Sequence, residues 1–438
     1  MALSAREVAL NCLIACEKQG AWSDGYLRNA IRQAGLDGRD AGLCTRLVFG
    51  VQQNRLLLDW YLTRFSSVKP EKMELPVRGA LRLGLYQLLF MDRIPVHAAV
   101  NESVALTRKR SRNPRSAALV NAVLRTVERE RKEGLPQPEE LSVRYSHPEW
   151  LVRELTNAVG PEEIEALLAA DNGEPPIQAQ VNTLKATVEA AAAELTAAGV
   201  TVRRHPWLPD CLELEDTGNL EGLDAFQNGT IYIQDAAARL AVLAAGPEPG
   251  MAVLDACAAP GGKSFAAAIA MGDSGSICSC DIHPHKQALI EQGTNRLGIR
   301  SITAAVMDGK TFDPELAGRF DLVIADVPCS GLGIIRKKPD IRYKDPEPLG
   351  GLPSVQRAIL ENVSRYVRPG GVLLYATCTL LRRENEAVVS WFLDKDTNFT
   401  LEPFTLPGPV GASEGMVTLW PHRHGTDGFF FAKLRRTR

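Results

Sequence analysis

No stretch of about 18 uncharged apolar residues occurs in this 438-residue chain, so a transmembrane helix is not expected. The start, Met1 to Lys18, carries Arg6, Glu7, Glu17 and Lys18 and lacks the apolar core of a secretory signal. A cytoplasmic location follows as the expectation. Nine cysteines stand at positions 12, 16, 44, 211, 257, 278, 280, 329 and 378, an odd number without one CxxC pair. That argues against a disulfide framework and against a structural zinc site. Neither His283/His285 nor His422/His424 is backed by a Cys or His cluster, so no metal is expected. Two nucleotide signatures are missing as well. A Walker A loop would need glycine at position 257, where Cys257 stands, and no G-x-G-x-x-G occurs.

What is present is a chain long enough for two or three domains. Its apolar content of 45% supports sizeable cores. The net charge of −2 hides an asymmetry: residues 1–145 hold 23 Lys+Arg against 15 Asp+Glu, and residues 146–438 hold 27 against 37. A basic first third suits contact with a polyanion, although a solvated helical surface would read the same way.

The apolar spacing divides the chain into three parts. Residues 1–145 read as an all-α domain, with Val8, Leu10, Leu13 and Ile14, then Leu43, Leu47, Val48 and Val51, then Leu81, Leu85, Leu88 and Leu89 at helical intervals. Arg108, Lys109, Arg110, Arg112 and Arg115 crowd into eight residues broken by Asn113-Pro114. They predict an exposed basic loop suited to phosphate contacts. Residues 146–245 mix helices with strands at 177–181 and 229–234, a small α+β module. Residues 246–438 alternate short apolar strands (251–255, 276–280, 302–306, 320–325, 371–376) with helices (263–271, 284–297, 353–366, 383–394). A last strand is expected at 428–434. That rhythm predicts a parallel α/β sheet covered on both faces.

The chemistry concentrates at the strand ends of the last domain. The turn Asp255-Ala-Cys-Ala-Ala-Pro-Gly-Gly-Lys-Ser264 opens a helix, where glycines and free N–H groups let a ligand approach. With the phosphate signatures absent, a nucleoside bearing a carboxylate, such as S-adenosylmethionine, fits. Asp281 ends the second strand, where a carboxylate bonds ribose hydroxyls, and Asp308 follows the third, within reach of an adenine amine. Either alone could be a helix cap. Asp326 and Cys329 follow the fourth strand, and Cys378 the fifth. A thiolate adding at C6 of a cytosine makes C5 enamine-like and able to take a methyl group. A carboxyl group near N3, for which Asp326 is the candidate, assists as charge builds. Each cysteine alone reads as a small buried hydrophobe; two at neighbouring strand ends do not. Residues alone leave open which thiol attacks. Arg336, Lys337, Lys338 and Arg342, beside Tyr343, add a basic segment with an aromatic, suited to single-stranded RNA or simply to solvent.

DACAAPGGKS, SCDIHPHK, DVPCSGLGIIRKKPDIRY and YATCT resemble the motifs of the RNA cytosine-C5 methyltransferases of the Sun group, over roughly residues 150–438. Asp40 to Arg55 and Asp59-Trp-Tyr-Leu62 are similar to the NusB-like RNA-binding domain. The resemblance implies a Rossmann-like class I methyltransferase domain. It implies Cys378 as the nucleophile and Cys329 as the thiol that assists product release. It places the methyl donor against Cys257, Ala258, Ala259, Pro260, Gly261, Gly262, Lys263, Asp281, Asp308 and Asp326. A NusB-like domain ahead of this core implies 16S ribosomal RNA as the substrate and partner, and a monomer is expected. The same chemistry on transfer RNA, or an RNA-binding assembly or antitermination factor, are the alternatives. The family usually has Arg where Gln180 stands, Ala where Val327 stands and Thr where Ser264 stands.

Overall fold

The structure, a computed structural model, describes residues 3–19 and 23–438. Two compact units emerge. One comprises the chain up to Gly173 together with Ile335–Lys344; the other comprises Glu174–Ile334 and Asp345–Arg438. Helices therefore continue past the expected boundary at 145. The helices Glu149–Val159 and Ile164–Asp171 belong to the first unit.

The helical unit is built around Leu75–Phe90, whose eleven buried residues cover its whole circumference. Against it pack Ala5–Gln19, Gly38–Gln53, Val96–Arg110 and Ser116–Glu133. The predicted apolar positions Val8, Leu10, Leu13, Leu47, Val48, Val51, Leu81, Leu85 and Leu88 all enter one core. Arg108, Lys109 and Arg110 form the last turn of a helix rather than a loop, and with Arg112 and Arg115 they are exposed. Lys109 pairs with Glu7, and Arg110 bonds Asn11 at 2.9 Å.

The segment Ile335–Lys344 corrects one expectation. Arg342, read as an RNA contact, is fully buried. Its Nη1 donates to the carbonyls of Gln53 (3.0 Å) and Ser146 (3.2 Å) and to Asn172 Oδ1 (2.9 Å). Close by, His147 and Asp171 form a wholly buried pair at 3.6 Å. Burial and the Arg342 charge push the His147 imidazole down, against the pull of Asp171. Tyr343, expected to stack on a base, has the Arg55 guanidinium 3.5 Å from its ring centroid, and its hydroxyl lies 3.2 Å from Ser146 Oγ. A guanidinium tied to main-chain carbonyls is structural, since each carbonyl it leaves would remain buried and unpaired. Arg336 and Lys337 are half-buried and Lys338 is exposed.

The second unit carries two main sheets. Strands β1 (Ile177–Val181), β2 (Thr201–Arg204), β3 (Cys211–Glu215) and β4 (Ile231–Ile233) form an antiparallel sheet of order β2-β3-β1-β4. Ala191 and Leu195 of the helix Val188–Ala197 join its core. Strands β5 (Ala252–Asp255), β6 (Ser276–Asp281), β7 (Ile302–Val306), β8 (Phe320–Asp326) and β9 (Val367–Thr377) are parallel. Strands β10 (Phe399–Leu401), β13 (Met416–Leu419) and β14 (Phe429–Arg436) complete that sheet, in the order β10-β14-β9-β8-β5-β6-β7 with β13 against β14. β11 (Phe404–Leu406) and β12 (Gly411–Ser413) form a separate ribbon.

The long strands are apolar throughout because both faces are covered. Leu322, Ile324, Val372, Leu374 and Ala376 enter one core, and their neighbours Val323, Ala325, Leu373 and Tyr375 enter the other. The strand order reverses between β5 and β8: β6 and β7 extend to one side, β8 and β9 to the other. Ligands of open α/β sheets bind in the crevice at such a reversal, beyond the carboxyl ends of the strands.

Arg342→Met should cost the helical unit about 3 kcal/mol, because four acceptors and the buried Asp171 charge lose their cation. The melting transition of that unit should then fall by roughly 6–12 °C. A melt within 1 °C of the native one would show that this guanidinium is dispensable.

Candidate active site

The site is built at the carboxyl ends of β5, β6, β8 and β9. Asp255, the last residue of β5, is buried and accepts a 2.7 Å hydrogen bond from Ser264 Oγ. Ser264 in turn accepts from Ser279 Oγ at 2.7 Å, so one polar chain pins β5, the helix Gly262–Ala270 and β6 together. Burial pushes the Asp255 carboxyl up to about 7. The turn closes on Gly261, whose φ of 110° suits glycine, and a Cβ there would lie 2.4 Å from the Phe265 ring. Asp281 is buried at the end of β6, accepting from the His283 N–H at 3.1 Å and lying 3.4 Å from Lys286 Nζ. Asp308 is half-buried beyond β7 and accepts from the Lys310 N–H at 3.0 Å. The Cys257 thiol is pushed up by burial and by Asp255, Asp326 and Asp281, so it stays neutral. Carboxylates dominate around this turn, an environment that suits a guest carrying a sulfonium and an ammonium.

The two motif cysteines meet. β8 and β9 pair in parallel with Asp326 opposite Ala376, so the turns that follow leave the sheet side by side. Cys329 Sγ lies 3.2 Å from Cys378 Sγ. Hydrogen bonding with Cys378 and burial push Cys329 well above the ordinary thiol range, and the Glu384 and Asp326 charges add to this. Lys263, on the turn, is buried and reaches Asp326 Oδ2 at 2.5 Å. Burial alone would push its ammonium down, but Asp326 and, further, Asp255 and Cys378 raise it overall.

Sequence reasoning put Lys263 against the donor; in the structure its Nζ engages Asp326. Cys257 to Lys263, Asp281 and Asp326 lie at or just beyond the carboxyl ends of β5, β6 and β8, and Asp308 follows β7. Two supports were missed. Glu384 and Asn385 were taken into a helix, but the helix begins at Glu386. The polar run Arg382-Arg-Glu-Asn-Glu386, directly after the Thr-Cys-Thr motif, was the available signal. Gln180 is buried, and its Nε2 donates to the Gln234 carbonyl (3.0 Å) and to Cys211 Sγ (3.2 Å). Among the described residues no group of three or more His, Cys, Asp or Glu could hold a metal ion, and no helix is long and apolar enough to cross a membrane.

Comparison with known proteins shows the family. Residues 242–435 match the 16S rRNA methyltransferase RsmB/F family, residues 3–129 the NusB family, and residues 147–221 the ferredoxin-like domain of RsmF/B-like methyltransferases. A probable ribosomal RNA small subunit methyltransferase B of Bacillus subtilis (strain 168) is 38% identical over 99% of both chains. The chain belongs to that family. A Synechocystis relative of the same description is 33% identical over 99% of this chain and 100% of its own. A solved structure of PH0851 superposes over the whole of both chains with a TM-score of 0.80 at 28% identity. The chain is thus an S-adenosylmethionine-dependent ribosomal RNA methyltransferase, with a NusB-like helical domain, a ferredoxin-like module and a class I methyltransferase domain.

Gly261→Ala should weaken donor binding about tenfold or more, because a Cβ in this backbone conformation carries roughly 1–2 kcal/mol of strain and meets Phe265. Calorimetric titration with S-adenosylmethionine measures it. Gly42→Ala, at an exposed site with nothing within 4 Å of the added Cβ, should bind like the native chain. Equal affinities for all three would remove Gly261 from the donor site.

Proposed function

We propose that this chain methylates C5 of one cytosine in 16S ribosomal RNA, with Cys378 as the transient nucleophile at C6. The observation that carries the reading is the 3.2 Å approach of Cys329 and Cys378 beside the Lys263–Asp326 pair. Two thiols at one crevice suit a reaction with one covalent addition and one elimination.

The charges around the sulfurs support the division of labour. Cys329 is pushed up by Cys378 and burial, with Glu384 and Asp326 adding negative charge on its side. A Cys378 thiolate, by contrast, raises the Lys263 ammonium, and that attraction is mutual. That attraction favours Cys378 as the attacking sulfur, and a thiolate is the attacking form. Its addition forms a C6–S bond and moves electron density to C5 and the N3 edge of the ring. Asp326, held in place by Lys263, faces that edge and accepts a hydrogen bond from the ring amino group, while N3 takes a proton from water and gives it back when the C6–S bond breaks. S-adenosylmethionine supplies the methyl group to C5 and leaves as the neutral thioether. The C5 proton then goes to a base, and the C6–S bond breaks to restore the C5=C6 double bond and the Cys378 thiolate. Cys329 assists this last step.

RNA carrying 5-fluorocytosine, which has no C5 proton to lose, should trap the native chain as a covalent adduct. Cys378→Ala should abolish the adduct. Cys329→Ala should still form it, and on ordinary RNA should accumulate it while losing 100-fold or more in turnover. The reverse pattern on denaturing gels would exchange the two roles.

The exposed Arg108, Arg112 and Arg115 are proposed as phosphate contacts. Replacing all three with Gln should reduce the slope of log affinity against log salt by about 2, at roughly 0.7 per lost contact. An unchanged slope would take these side chains out of the RNA interface.

A further inference from the structure

We infer that Glu384 and Asn385 are the positioning residues of the two thiols, Glu384 holding the Cys329 turn and Asn385 the Cys378 turn. This rests on the proposed division of labour between those cysteines, and it assigns the parts that enforce it. Parallel pairing ends at Asp326 and Ala376, so both cysteines lie beyond the ladder and need other restraints.

Glu384 is fully buried. Its Oε2 accepts from the Ser330 N–H at 2.9 Å and from Gln356 Nε2 at 2.8 Å. Gln356 Nε2 also donates to the Pro328 carbonyl at 3.0 Å. Cys329 is thus gripped on both sides by one carboxylate and the amide that serves it. Asn385 is equally buried and grips the other turn: its Oδ1 accepts from Thr377 Oγ1 at 2.6 Å, and its Nδ2 donates to the Thr379 carbonyl at 2.9 Å. The two turns are then joined by Ser330 Oγ and Thr379 Oγ1 at 2.7 Å. Consecutive residues have their Cα atoms about 3.8 Å apart, so clamping two turns from Glu384 and Asn385 limits how far the sulfurs can separate. The Tyr375 hydroxyl fixes the pair itself by donating to the Glu384 carbonyl at 2.5 Å. A second stitch crosses behind the thiols: the Gly333 N–H donates to the Cys378 carbonyl at 2.9 Å, and the Gly428 N–H to the Gly333 carbonyl at 2.8 Å. A Cβ on Gly333 would fall 1.8 Å from the Gly428 oxygen, so the crossing requires glycine.

The two clamps differ in charge. Facing the cysteines are Asp326 from β8, Lys263 from the helix Gly262–Ala270, Tyr375 from β9, with Arg357 acting on that tyrosine from the helix Leu352–Ser364, and Glu384. Glu384 sets its charge against Cys329 and none is supplied by Asn385. Like charges repel, so ionisation is disfavoured at Cys329.

The test is alkylation of the full-length chain by iodoacetamide between pH 6 and 9, with Cys329 and Cys378 peptides quantified by mass spectrometry. The labelling needs no RNA, so it stands apart from the adduct experiment: loss of the adduct would overturn the nucleophile, not the clamp. In the native chain Cys378 should label first. Glu384→Gln keeps the shape and removes the charge; it should raise the Cys329-to-Cys378 labelling ratio at least threefold and move Cys329 labelling to lower pH. Glu384→Asp, which retains the charge, and Asn385→Ala, which never had one, should leave the ratio near native while lowering single-turnover methyl transfer tenfold or more. Should Glu384→Gln fail to fold, Glu384→Asp and Asn385→Ala still decide. A native ratio in Glu384→Gln, a shifted ratio in either other variant, or undiminished transfer in both would overturn the inference.

Discussion

Parallel pairing of β8 with β9, with Asp326 opposite Ala376, is the constraint on which the rest of the site depends. Each strand alternates its side chains between two cores, Val323 and Ala325 on one side, Leu322 and Ile324 on the other. A slip by one residue would exchange those faces along the strand. The register is therefore held by the apolar cores, and the placement of Cys329 against Cys378 follows from it. The chemistry inherits its geometry from burial that has no chemical role.

On that frame the charges are arranged in opposition. Lys263 pairs with Asp326, and each is expensive to bury without the other. Asp255, farther under the same turn, is pushed up to about 7, so its contribution is largely that of a hydrogen-bond acceptor for Ser264. The negative charges of Glu384 and Asp326 reach Cys329, whereas Cys378 interacts with the lysine. Two chemically identical thiols 3.2 Å apart thereby face different charges from their surroundings alone.

Much of this was legible in the sequence. The apolar runs 320–325 and 371–376 are strands because they are buried on both faces, and the observed β8 and β9 extend them by only a few residues. β2 left no such trace: Thr201-Val-Arg-Arg204 is largely exposed at a sheet edge, with Arg203 paired to Glu215 across the ladder. Glu384 and Asn385 were missed because their role is to bond backbone groups of turns distant in sequence, which no periodicity reports. Arg342 was misread for the same reason. A basic residue amid Arg336, Lys337 and Lys338 reads as a surface cation, and only the fold reveals the four acceptors that bury it.

The segment containing Arg342 also changes how the chain can be divided. The motif that begins with Asp326 and Cys329 supplies the reacting groups, yet from Ile335 to Lys344 the same stretch belongs to the helical unit. Arg342 satisfies carbonyls at Gln53 and Ser146 there, and Tyr343 lies under Arg55. Cutting the chain near 145 would remove Gln53 and Arg55, so that Arg342 would lose the Gln53 carbonyl and Tyr343 its stacked guanidinium, with only the contacts to Ser146 and Asn172 left to hold them. A truncated chain would thus lose order six residues beyond Cys329, whatever its first domain contributes to RNA binding. Affinity lost on truncation would not distinguish a missing RNA contact from a disordered segment next to the reactive motif. Point changes at Arg108, Arg112 and Arg115, exposed and remote from Arg342 in sequence, separate the two effects because they alter surface charge and leave the buried anchor intact.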